Sequence, residues 1–165
     1  MKNRQHARDW KGKPSLTSLM QSYAKAAVNV ARQEYKISLT YTEGSLVNVE
    51  KILARVYQEL PRTKNGRLTK RATLDTNLDQ ICKAFGAYIG EVMRRKWSGR
   101  WRVNVKGGNA EVYLQVRGTS IYPISKVYKR LTNGEEDNIH YCYLFFRELL
   151  SGKISADQLI GPESK

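Results

Sequence analysis

Residues 100–116, RWRVNVKGGNAEVYLQV, leave the backbone little choice. Trp101, Val103 and Val105 alternate with Arg102, Asn104 and Lys106, and Val112, Leu114 and Val116 alternate with Glu111, Tyr113 and Gln115. A period of two is that of a strand with one buried face, and Gly-Gly-Asn between two such runs signals a hairpin turn. Placing the loop at Gly107–Gly108 or at Gly108–Asn109 keeps the same side chains on the same face, because side-chain direction repeats every second residue. The pattern predicts Trp101, Val103 and Val105 in the core. Arg100, Arg102, Lys106, Tyr113 and Arg117 are expected on the opposite, open face.

A long amphipathic stretch, from about Thr73 to Lys96, leads into this ribbon. Leu74, Leu78, Ile81, Phe85, Ile89 and Val92 recur at helical spacing and predict one apolar face. Gly86 and Gly90 lie four residues apart and therefore on one side of that helix. Each costs a helix interior up to about 1 kcal/mol, so the pair predicts close approach by another backbone. RRKWSGRWR (94–102) then reads in three pieces. Arg94, Arg95 and Lys96 form a last helical turn favoured by the helix dipole, Ser98-Gly99 is a break, and Arg100 opens the strand.

The remaining segments fill in an α+β fold. Ser15 is a helix N-cap, followed by the stripe Leu16, Leu19, Met20, Tyr23, Ala27 and Val30. Tyr35, Ile37, Leu39 and Tyr41 alternate with polar residues and predict a strand over 35–41. Leu46, Val49, Ile52, Leu53, Val56 and Leu60 form the buried face of a helix that ends at Pro61. PRTKNGRLTKR (61–71) is a loop, SIYPI (120–124) a short strand, and SKVYKRLTNG and EEDNIHYCYLFFRELLSG two closing helices. The expected architecture is four to five helices packed on a small, mainly antiparallel sheet built around a central β-hairpin. It occupies one globular domain over residues 14–152, between a basic arm (1–13) and a tail (153–165).

Several function classes lack the residues they need. No apolar run approaches the ~20 residues of a membrane span. The basic start of the chain has no apolar stretch behind it of the kind a secretory signal carries, which points to a cytoplasmic protein. The two cysteines, Cys82 and Cys142, are too few for a disulfide scaffold and read as buried thiols. His140 and Cys142 are two apart on a helix and diverge, so they cannot share a metal. Glycine-rich phosphate loops, Gly-x-Ser-x-Gly turns and His-Glu-x-x-His motifs are missing, and no cofactor or metal is expected. Glu91 is the one acid in a setting that invites chemistry. It is expected to pair with an arginine, and a catalytic role would need a second acid such as Glu43, Glu50 or Glu111. The chain therefore reads as a non-enzymatic binding protein.

A formal net charge of +14 makes its partner an acidic one. The cations gather in three segments: an arm with Lys2, Arg4, Arg8, Lys11 and Lys13, a loop with Arg62, Lys64, Arg67, Lys70 and Arg71, and the Arg94, Arg95, Lys96, Arg100, Arg102 cluster. Tyr113 and Arg117 extend the last of these. An acidic protein partner ranks first, because the charge is dispersed and no nucleic-acid motif accompanies it. A nucleic acid, bound through its phosphates and a stacking tyrosine on the open sheet face, is the alternative.

FGAYIGEVMRR…W, preceded by SLVNVEKIL and followed by IYPISKVYKRLTNGEED, resembles a group of small bacterial domains. In these a Gly-x-Tyr-x-Gly-Glu helix runs into a Trp-bearing strand. The similarity covers residues 45–145, with Gly86, Tyr88, Gly90, Glu91 and Trp101 as the matching positions. It implies a shared fold and structural roles for those residues. Some such domains are similar to immunity or interaction modules, which implies an immunity, inhibitor or accessory role.

Overall fold

A computed structural model describes residues 14–153. Six α-helices pack on a three-stranded antiparallel sheet, so the fold is α+β. The helices are α1 (Leu16–Gln33), α2 (Ser45–Glu59), α3 (Lys70–Thr73), α4 (Thr76–Trp97), α5 (Pro123–Asn133) and α6 (Ile139–Leu150). The strands are β1 (Arg100–Lys106), β2 (Asn109–Val116) and β3 (Thr119–Ile121), in that spatial order. The arm and most of the tail lie outside the described residues.

α4 is the axis of the domain. Every residue from Ala84 to Met93 is buried, the mark of a helix enclosed on all sides. α1 and α5 pack along it, and the sheet packs against its C-terminal half. The two glycines make the closeness possible. A Cβ on Gly86 would lie 2.5 Å from Ile124 Cα, so the backbone of α5 approaches there as the spacing predicts. Gly90 has a different neighbour: a Cβ would sit 2.1 Å from Cη2 of Trp101, so the glycine is a seat for an indole. Leu74 falls outside α4, at the end of the one-turn α3, and is 75% exposed rather than part of the apolar face.

The hairpin turns at Gly107–Gly108, with Lys106 opposite Asn109. Both glycines have positive φ (55° and 84°), the geometry of a two-residue loop that follows strand twist. Trp101 is 5% exposed, opposite the fully buried Leu114. Val103 and Val105 share its face yet are 51% and 65% exposed. The helices cover only the first part of β1, and the outer half of the ribbon projects past them.

Two further expectations are corrected. Residues 35–41 form no strand. Their burial does alternate, with Leu39 buried and Tyr35, Ile37 and Tyr41 partly so. Packing on the helices produces that pattern without a ladder. Lys36 and Tyr41 have positive φ, and the Tyr41 N–H donates to the Tyr88 hydroxyl (2.8 Å) instead of to a neighbouring strand. In α1 the buried face is Met20, Ala24, Ala27 and Ala31, while Leu19 and Val30 are more than a third exposed. Small side chains let α1 lie close against α4.

Candidate interaction surface

Several of the arginines are engaged by groups of the fold itself. The Arg62 guanidinium lies over the Tyr57 ring, 3.8 Å from its centroid. Its guanidinium donates to the Leu131 (2.7 Å), Thr132 (3.3 Å) and Gly66 (2.9 Å) carbonyls, so it closes the C-terminal end of α5. Arg117 leaves the sheet in the turn after β2 and donates to the Leu150 carbonyl (2.9 Å) at the end of α6. It is not on the open face of the hairpin. Arg130, 4% exposed, is held by Glu50, whose second oxygen accepts from the Ile139 N–H (2.8 Å).

Arg94 and Trp101 converge on Glu91. The carboxylate is fully buried; Oε1 accepts from Trp101 Nε1 (2.8 Å) and Arg94 Nε (2.7 Å), and Oε2 from Arg94 Nη2 (3.0 Å). Arg95 adds a longer pair at 3.8 Å and rests on the Tyr41 ring, 3.8 Å from its centroid. Glu43, Glu50 and Glu111 are engaged by Arg147, Arg130 and Ser125 respectively. Lys96 reaches Glu43 at 3.9 Å. Burial alone would raise the Glu43 carboxyl, but the Arg147 and Lys96 cations outweigh it and hold the group below its ordinary range. Trp97, at the joint, stacks on the buried Tyr143, ring centroids 5.3 Å apart. Burial, with Glu43 adding to it, pushes the Tyr143 phenol up.

The other expected site residues fall in separate places. Lys11 and Lys13 lie outside the described residues. Lys64 and Arg67 are exposed in the loop, which a bridge between Arg62 and Leu68 pinches closed, and Lys70 and Arg71 are exposed on α3. Arg100 and Arg102 are exposed on β1, with Arg102 opposite Tyr113. Tyr113 is half-buried against Tyr122, ring centroids 5.4 Å apart, and is not an open stacking platform.

Two features escape a reading by segments. The first is a groove of about 600 Å³ between α1 and α4, where Lys25 and Arg32 meet Arg95 beside Gln21 and Asn29. Its signal was present: Lys25 and Arg32 are seven residues apart and share a helix face. The second is the outer half of the hairpin. β1 is an edge strand: among the described residues no strand pairs with its outer side, and α1 packs against part of it. Val103 and Val105 stand exposed on one face of it, and Arg100, Arg102 and Lys106 on the other. Among the described residues no helix is long and apolar enough to cross a membrane, and no cluster of His, Cys, Asp and Glu could hold a metal.

No known protein family, curated protein or solved structure matches this chain at a significant level. None of these comparisons supports the resemblance of residues 45–145 to small bacterial domains.

Proposed function

We propose that this protein is a non-enzymatic binding module that docks an acidic partner protein on the outer edge of β1. The observation that carries the reading is the exposure of Val103 and Val105 (51% and 65%) on an unpaired edge strand whose alternate side chains are cationic. Exposed hydrophobic edges invite aggregation and are normally blunted. Here charge on the opposite face blocks pairing with a second copy, since Arg100, Arg102 and Lys106 would meet their own kind. It leaves the edge open to a strand bearing acids on one side and apolar residues on the other. Such a strand gains main-chain hydrogen bonds along the edge and specificity from alternate side chains, while the positive field accelerates its approach. An immunity, inhibitor or accessory role would use such a dock.

The test is a fluorescently labelled short peptide alternating glutamate with valine, titrated against the full chain and followed by anisotropy. A copy N-methylated at alternate residues and a lysine–valine copy serve as controls. Binding by the first peptide alone, lost in the Val103→Asp/Val105→Asp double variant, is the expected result. Equal binding of the N-methylated peptide, or none by any peptide, overturns the reading.

One observation favours nucleic acid as a second reading: the α1–α4 groove brings Lys25, Arg32 and Arg95 to one place. Retardation of an oligonucleotide would then weaken with salt at a log–log slope of about −0.7 to −0.9 per phosphate neutralised. Absence of retardation at low salt removes it.

A further inference from the structure

β3, the start of α5 and the first half of α6 stand off from the middle of α4 and leave a cleft of about 210 Å³. Ile89 and Met93 of α4, Ile121 of β3, and Ile139, Cys142 and Phe146 of α6 make its apolar walls. Native interiors hold few voids larger than a water molecule, and an apolar cavity of roughly 150 Å³ stays dry and takes up benzene. By that scale this cleft accommodates a chain of roughly six to eight carbons.

Its polar groups define the other end of an occupant. Ser120, Ser125, Lys126 and Lys129 also line it. Ser125 donates to Glu111 (2.9 Å), and Lys126 is bound to Asp137 (2.5 Å). Asp137 is further occupied by Asn133 (2.7 Å). Lys129 is exposed and makes no ion pair among the described residues. Among the described residues no arginine lines the cleft. One ammonium left without an ion pair, and no guanidinium fork of the kind that grips phosphate, suits a monoanionic head.

We propose that this cleft binds a medium-chain carboxylate, its hydrocarbon tail lying among Ile89, Met93, Ile139 and Phe146 and its carboxylate on Lys129. The site is independent of the β1 edge and does not rest on the partner reading.

The full chain is titrated with octanoate, and with octanol and acetate as controls, while backbone amide shifts are followed by NMR. Modification of Cys142 and Cys82 by N-ethylmaleimide is measured in parallel by peptide mass spectrometry. Octanoate should give saturable shifts confined to residues around the cleft and should slow modification of Cys142, leaving that of Cys82 unchanged. Acetate should do neither. Lys129→Gln should weaken octanoate about fivefold, the scale of one exposed charge pair, and leave octanol unaffected. Cys142→Met, which fills the space, should abolish binding; if that variant does not fold, Lys129→Gln and the protection experiment still decide. Unsaturable or scattered shifts, no protection of Cys142, or equal octanoate binding by Lys129→Gln would overturn the proposal.

Discussion

Gly90→Ala separates two opposed expectations by sign. Helix propensity alone makes alanine better than glycine in a helix interior by about 1 kcal/mol. Position 90 is surrounded, however: the new methyl would stand 2.1 Å from Cη2 and 2.4 Å from Cζ2 of Trp101, and 3.3 Å from Cγ of Pro123. The indole cannot swing aside cheaply, because its Nε1 donates to the buried Glu91 carboxylate at 2.8 Å. Displacing it forfeits a hydrogen bond to a charged acceptor, about 1.5–3 kcal/mol, and overpacks a full core at about 1–3 kcal/mol. Net of propensity, the variant should lose about 2–4 kcal/mol, equivalent to a melting temperature lower by roughly 5–12 °C in a domain of this size. Urea unfolding followed by tryptophan fluorescence measures it. In a Trp101→Leu background the obstacle is gone, and the same substitution should cost at least about 1.5 kcal/mol less, a coupling within the range for residues in contact. A Gly90→Ala protein as stable as the parent or more so, with no coupling to residue 101, would refute the seating of the indole on the glycine.

Arg130→Met strands the Glu50 carboxylate, 14% exposed, and should destabilise by about 3 kcal/mol; adding Glu50→Gln should recover part of that loss in the same unfolding assay. Burial raises the Asp137 carboxyl, but the hydrogen bonds from Lys126 and Asn133 outweigh it and hold the group below its ordinary range. A lowered folded-state pKa gives stability that is complete above the unfolded aspartate value near about 4 and is lost as the pH falls from there through the lower folded-state value. Unfolding midpoints measured against pH should therefore drop in acid, and less steeply for Asp137→Asn. Burial, reinforced by Asp79, pushes the Cys82 thiol up to about 12, so Cys82 should resist alkylation at neutral pH in the folded protein while the half-buried Cys142 reacts first.

The ribbon and the central helix were legible because their signals are local. Alternation with a Gly-Gly turn placed Trp101 inward, and the structure buries it at 5% exposure. Parity states which face a side chain occupies and nothing about how far a covering helix extends, so Val103 and Val105 share the face of Trp101 while the core ends before them. Alternation over 35–41 marks which side chains turn inward, yet a strand also needs a neighbour to pair with, and the described residues supply none. In α1 the large apolar residues Leu19 and Val30 mark the rim of the buried face, whereas Ala24, Ala27 and Ala31 make the close contact. Counting cations cannot tell which of them are spent: Arg62 and Arg117 end helices through carbonyl hydrogen bonds, partners that no spacing reveals. The groove is invisible to segment-by-segment counting for a related reason: Lys25 and Arg32 lie far in sequence from Arg95.

The claim that the outer edge of β1 receives an acidic partner is tested most directly by contact at residue 105. A photoreactive benzoylphenylalanine placed there, with another at the exposed Leu74 as reference, should be irradiated in extract from cells that naturally make the protein. The proposal predicts one adduct at position 105, an acidic protein, absent at position 74 and lost when Arg100→Glu and Arg102→Glu are added. Crosslinks to nucleic acid, or identical adducts from both positions, would contradict it.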